Sequence, residues 1–190
     1  MALHLTVHAA DPDLSNLDKE AVVKKPAPRT RGLTRGLSTA PAAPKTAPTR
    51  GYDPTRGVVT IEEVDGTVKE LPYVVLPILF KVNSDELFDA QSEENLRKLA
   101  AKLREPQLLT ARFTVEGHTS TEGAPEYNQI LSDRRADRIL KLLVDKFNVD
   151  KDRLSAKGFG LTAPEVKPEL TEQDRQRNRR VLIVKESNGQ

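Results

Sequence analysis

The chain has 190 residues, of which 37% are hydrophobic and 31% charged, enough for one ordinary domain with a tail or two very small ones. Its longest apolar run, Tyr73 to Phe80, is interrupted by Pro77 and falls well short of the ~20 residues that a spanning helix needs. The absence of cysteine excludes disulfides, thiolate metal sites, a cysteine nucleophile and a thioether lipid anchor. Aromatics at 4%, with no Trp, argue against a stacking platform for single-stranded nucleic acid.

The net charge of +2 is unevenly spread. Residues 1–58 hold nine Lys/Arg against five Asp/Glu and seven of the thirteen prolines, whereas the rest of the chain is slightly acidic. Met1 to Ala10 reads as the remnant of a secretory signal peptide (residues 1–9), with cleavage near Ala9. Residues 10–57 are rich in Pro, Ala, Thr, Arg and Gly and lack apolar periodicity, which predicts a disordered linker or arm. Thr-Arg-Gly recurs there at 30–32, 34–36, 49–51 and 55–57, at spacings too irregular for a solenoid.

Two extended runs, Val58 to Val64 and Thr67 to Val75, flank Asp65-Gly66, so residues 58–75 predict a β-hairpin with a two-residue turn. A helix is expected from an N-cap at Ser92, with Leu96, Leu99, Ala100 and Leu103 as its buried stripe and Pro106 ending it. Alternation at Ala111, Phe113 and Val115 predicts a strand that runs into a loop, Glu116 to Gly123. A long helix from Pro125 to Phe147 follows, with Tyr127, Leu131, Ile139, Leu143 and Phe147 facing the core. A short strand near 153–159, a charged helical turn and a buried strand at 180–184 complete the chain. No phosphate loop, HExxH or serine elbow is present, so neither an enzyme nor a cofactor is expected. His118 beside Glu116 lacks a third ligand nearby in sequence, which favours a loop-stabilising histidine over a metal site.

Several of these residues form an ordered set: Glu116-Gly117-His118-Thr119, Tyr127-Asn128, Leu131-Ser132-x-x-Arg135-Ala136, Gly158-Phe159-Gly160 and Asn178-Arg179-Arg180-Val181. Together with Ile78-Leu79-Phe80-x-x-Asn83-Ser84, the set resembles the OmpA-like peptidoglycan-binding domain family, across residues 70–187. The resemblance implies an α+β fold, a single β-α-β-α-β-β sheet with helices packed on it, and a periplasmic or outer-membrane-associated protein of a Gram-negative-type bacterium. It implies binding, without catalysis, of the peptidoglycan stem peptide, whose diaminopimelate end carries an ammonium and a carboxylate. Arg135 matches the position that grips the carboxylate, and Asn83, Thr119, Ser120, Asn128 and Arg179 match further ligand contacts. The family places an Asp where this chain has Ser120, so the ammonium loses its charged partner; Glu122 and Asp133 are the nearby carboxylates that could replace it.

Other readings remain open for the same residues. Arg134 and Arg135 beside Asp133 and Asp137 also fit an exposed ion-pair lattice. Arg179 with Arg180 fits an edge-strand device, and Asn83 fits a turn cap. The second functional reading is a scaffold subunit of an envelope assembly, with residues 10–57 meeting another envelope or outer-membrane protein. A third has the basic arm on anionic lipid.

Overall fold

The computed structural model describes residues 10–26 and 49–188. In chain order the strands and helices are β1 (Val22–Lys24), β2 (Thr49–Asp53), β3 (Val58–Glu62), β4 (Val68–Leu76), α1 (Ala90–Lys102), β5 (Ala111–Gly117), α2 (Pro125–Lys141), β6 (Leu154–Gly158), α3 (Glu172–Asn178) and β7 (Val181–Asn188). The strands form one sheet in the order β2-β3-β4-β7-β5-β6, with β1 paired to the first residues of β4. Only β5 and β6 are parallel, as a strand-helix-strand crossover through α2 requires. From β4 onward this is the expected β-α-β-α-β-β order, with the short α3 where a charged helical turn was expected before the last strand.

Strand alternation gives the sheet two apolar faces. Val74, Leu76, Phe113, Val115, Val181 and Ile183 belong to the helix-side core, where they meet Leu96, Leu99 and Leu103 and, from α2 and its extension, Ile139 and Leu143. Leu71, Tyr73, Leu182 and Val184 form a second cluster with Val59, and Tyr52 and Ile61 pack against it. The β2–β3 ribbon therefore lies over the face that the helices leave bare.

The elements differ from the sequence expectations in detail. The hairpin loop has three residues, Val64 to Gly66, because Glu63 N donates to Thr67 O (2.8 Å) and Gly66 N to Glu63 O (3.0 Å). Gly66 supplies the positive φ of +85° at the bulge that such a loop needs. The N-cap of α1 is Asp89 and not Ser92: the Asp89 carboxylate accepts from Ser92 N (2.8 Å). Ser92 is buried one turn in, and its Oγ accepts from Leu79 N (2.9 Å). α2 gives way at Leu142 to a π-helical turn ending at Lys146. Tyr127, expected in the core, is about half exposed.

The largest correction concerns the described parts of the expected arm. Residues 10–26 and 49–57, expected to be a disordered linker or arm, lie on the domain. Leu17 is fully buried within the helix-side core. Asn16 Nδ2 donates to Gly57 O (2.5 Å) and Tyr73 O (2.6 Å), joining three segments. Along α1, Asn95 Nδ2 donates to Ala10 O (2.7 Å), Lys98 pairs with Asp11 (2.6 Å) and Lys102 with Asp18 (2.8 Å). Lys185, itself buried, donates to Lys19 O (2.9 Å) and Glu20 (3.2 Å). Leu17, with the partly buried Leu14 and Ala21, and a row of polar contacts thus hold a segment whose composition predicts disorder. Thr49–Gly51 falls in β2 and Thr55–Gly57 in the turn after it. The other two Thr-Arg-Gly triplets and residues 1–9, with their signal-remnant reading, lie outside the described residues. Among the described residues no helix is long and apolar enough to cross a membrane.

Candidate functional site

A cleft of about 610 Å³ opens at the end of the sheet where β5 runs into the 118–124 loop, between α2, the 78–83 segment and the end of α3. Asn83, Thr119, Ser120, Asn128, Arg135 and Arg179 all line it. Six residues spread over almost a hundred positions of sequence thus converge on one concavity.

Glycine brings α2 close enough to the sheet to place them. A Cβ on Gly117 would sit 2.3 Å from Ser132 O, and one on Gly158 would sit 2.4 Å from both Asp133 N and Ser132 Oγ. Only residues without a side chain permit that approach. The contact is then locked by polar groups: Asp133 Oδ1 accepts from Gly158 N (2.7 Å), Ser132 Oγ accepts from Gly160 N (2.9 Å), and Gln129 Nε2 donates to Gly158 O (2.9 Å). With Ser132 and Asp133 turned to the sheet, helical spacing leaves Tyr127, Asn128, Leu131 and Arg135 at the cleft. Asp133 is consequently spent on the backbone and does not serve as the cleft's carboxylate.

Arg135, partly buried, lines the cleft. Its guanidinium lies 4.8 Å from the centre of the Phe80 ring, and Nε donates to Ser84 O (3.0 Å). Burial pulls its pKa below the ordinary arginine value, an effect that Arg179 nearby reinforces and Tyr127 opposes. Arg135 forms no ion pair with any carboxylate among the described residues. Arg134, its neighbour, points outward and pairs with Asp85 (2.6 Å). The lattice with Asp133 and Asp137 expected as the ordinary alternative therefore forms for neither arginine among the described residues: Arg134 is ion-paired, but with Asp85, and Arg135 is paired with no carboxylate. Arg179 stands at the rim and pairs with Glu172.

The loop that forms one wall is held from three sides. Thr119 N donates to Gly160 O (3.0 Å), and Thr121 N donates to Glu169 Oε2 (2.8 Å). Asn128 Nδ2 donates to Glu122 O (2.7 Å) and Ala124 O (3.2 Å), so only its side-chain carbonyl remains for a ligand. Glu169 also accepts from Asn178 Nδ2 (2.7 Å), while Asn178 Oδ1 accepts from Glu165 N (2.8 Å) and Val166 N (2.9 Å). Thr119 and Ser120 are only 3% and 8% exposed, and Thr119 Oγ1 is buried without a hydrogen-bond partner. Asn83 has φ +53°, a left-handed conformation that Asn tolerates better than most residues.

Behind the loop lies a buried polar cluster. Glu116, 1% exposed, is paired with Arg50 and accepts from Tyr52 Oη (3.0 Å). The His118 ring stacks on Phe159 at 5.3 Å and meets the Tyr52 ring edge-on at 5.4 Å. Burial lowers the His118 pKa, which keeps the ring neutral near pH 7, although Glu116 at 3.5 Å pulls the other way. No group of metal-binding residues occurs among the described residues.

The six residues expected from the sequence are among those that line the cleft, and their supports were missed. Gln129, Ser132, Asp133 and Asn178 are polar residues in or beside the motifs, whereas Glu169 lies about nine residues from either neighbouring motif. For the first four, that adjacency was the available signal. Tyr127 and Leu131, expected in the core, also line the cleft.

Comparison with known proteins agrees with this architecture. Residues 79–179, more than half of the chain, match the model of the OmpA family. The chain is 38% identical over 109 residues to "Outer membrane protein Omp38" of Acinetobacter baumannii, a match that covers 57% of this chain and 30% of that protein. Among solved structures, the periplasmic domain of Helicobacter pylori MotB superposes with a TM-score of 0.52 at 21% identity, covering 74% of this chain and 89% of that one. The peptidoglycan-associated lipoprotein of Burkholderia pseudomallei superposes with a TM-score of 0.51 at 23% identity, covering 57% and 88%. These structures share the fold, and the chain spans about a third of the outer-membrane relative that it matches. With the family model covering the cleft from the residue before Phe80 to Arg179, the chain belongs to the OmpA family.

Proposed function

We propose that the cleft binds the stem peptide of peptidoglycan and that the protein is a non-catalytic tether to the wall, on the periplasmic side of the outer membrane. The observation that carries this reading is Arg135: a partly buried guanidinium lining a cleft, paired with no carboxylate of the described chain. Such a group is stabilised by an incoming carboxylate, which its planar donors can take in bidentate fashion. Thr119 also lines the cleft, and its Oγ1, buried and unpartnered, supplies a second polar group for the ligand. Family membership and a structural neighbour named a peptidoglycan-associated lipoprotein support the same ligand. The diaminopimelate end of the stem peptide presents such a carboxylate. Ser120 offers its ammonium a hydroxyl and no charge.

Co-sedimentation with purified sacculi tests this reading. The wild-type protein pellets with sacculi, and Arg135→Ala stays in the supernatant. A wild-type protein that does not pellet removes the reading. The scaffold alternative gains no support from residues 10–26 and 49–57, because they are engaged within the chain itself.

A further inference from the structure

The charges of the cleft are lopsided. Of the residues lining it, Arg135 and Arg179 are cationic and Glu122 is the one carboxylate. Glu122 is two-thirds exposed at the rim and already pairs with Arg175 (3.3 Å). Glu169, the other carboxylate at the loop, turns Oε2 to Thr121 N and Asn178 and does not line the cleft. Asp85 pairs with Arg134 outside it, and Asp133 is bound to the Gly158 backbone. The other polar residues that line the cleft are neutral: Thr119, Ser120 and Tyr127 with their hydroxyls, and Asn83, Asn128 and Gln176 with their amides, between apolar walls.

An ammonium placed there would meet two guanidiniums, neutral acceptors and, as its one carboxylate, the exposed Glu122 that Arg175 already engages, and like charges at close range disfavour one another. A carboxylate would meet the unpaired Arg135, Arg179, which Glu172 already engages, and the unpartnered Thr119 hydroxyl. We propose that the cleft reads the carboxylate of its ligand and is indifferent to the charge of the adjacent nitrogen, so that it accepts stem peptides whose amine is acylated as well as those whose amine is free. This rests on the peptidoglycan reading and narrows it. A site that grips both charges distinguishes a free end from a blocked or cross-linked one, whereas this cleft holds either by its acid group.

The experiment uses the whole chain and three preparations of the same sacculi: native, N-acetylated with acetic anhydride, and carboxyl-amidated through a carbodiimide. Acetylation is expected to change the affinity by less than about threefold, and amidation to lower it by about tenfold or more, the scale of a lost charged hydrogen bond. Ser120→Asp places a carboxylate on the loop and is expected to make binding acetylation-sensitive by about tenfold. A loss of about threefold or more when wild-type protein meets acetylated sacculi overturns the inference while leaving peptidoglycan binding intact. Failure to bind native sacculi instead removes the peptidoglycan reading, and the inference falls with it. Amidated sacculi that bind as well as native ones overturn the carboxylate half of the proposal.

Discussion

Arg50 of β2 pairs with Glu116 of β5, tying the amino-terminal ribbon to the strand that delivers the cleft loop. Glu116 is almost wholly buried, whereas Arg50 is 22% exposed, so the pair sits at the edge of the low-dielectric interior. Three residues beyond Glu116, the same stretch of chain presents Thr119 and then Ser120 to the cleft. Removing the cation would leave a buried carboxylate with Tyr52 Oη as its remaining close donor. Arg50→Ala is therefore expected to destabilise the fold by about 2–4 kcal/mol, somewhat less than a fully buried pair would cost. Urea denaturation measures this directly, and an unchanged midpoint would mean that the ribbon is not fixed to β5.

Leu17 tests the ordered amino-terminal segment. Its side chain is fully buried, and Leu→Ala at such sites costs about 2–5 kcal/mol. Leu17→Ala should lower the denaturation midpoint accordingly. If residues 10–26 were a solvated linker, the same substitution would change nothing.

Gly117→Ala should disturb the cleft from beneath. The new methyl would meet Ser132 O at 2.3 Å, and backbone cannot swing aside as a side-chain tip can. Overpacking of this kind costs about 1–3 kcal/mol. Because the displaced helix carries Asn128 and Arg135, sacculus binding should also fall at temperatures where the variant remains folded. Binding equal to wild type would show that α2 does not set the cleft.

His118 predicts an acid-side loss of stability. Burial lowers its pKa below the ordinary 6.5, so the folded chain resists a proton that the unfolded chain accepts. Below about pH 6.5 the unfolded state binds more protons, and stability falls as pH drops from there toward the depressed folded value. Above pH 6.5 this group contributes no slope. Denaturation midpoints measured between pH 7 and 5 should decline, and His118→Gln should flatten that decline. An equal slope in both proteins would place the titration elsewhere.

Much of this architecture is legible in the sequence because regular burial leaves a period. Leu96, Leu99, Ala100 and Leu103 mark one helix face, and Phe113 and Val115 mark a strand; all six are buried. The cleft was legible for a different reason: its residues belong to short motifs whose spacing the fold preserves. What escaped depends on isolated contacts. Leu17 is the fully buried residue of the amino-terminal segment, supported by the partly buried Leu14 and Ala21, and three scattered apolar residues make no period. Asp89 and Ser92 are equally good caps, and only the position of Leu79 N decides that Ser92 is the buried one. Tyr127 shares the helical stripe of Leu131, yet it lies in the first turn of α2, which borders the cleft and leaves the ring half exposed. Asp133 could not be distinguished in sequence from a cleft carboxylate, because its partner is the backbone of a glycine twenty-five residues away.

The central claim is that Arg135 holds the ligand, and one comparison tests it most directly. Sacculus binding should be measured for wild type, Arg135→Ala and Arg134→Ala, adjacent arginines of which one lines the cleft and the other is paired outside it. Arg135→Ala is predicted to lose about tenfold or more in affinity, while Arg134→Ala stays within about threefold of wild type. Wild-type affinity in Arg135→Ala, or an equal loss in both variants, would contradict the account.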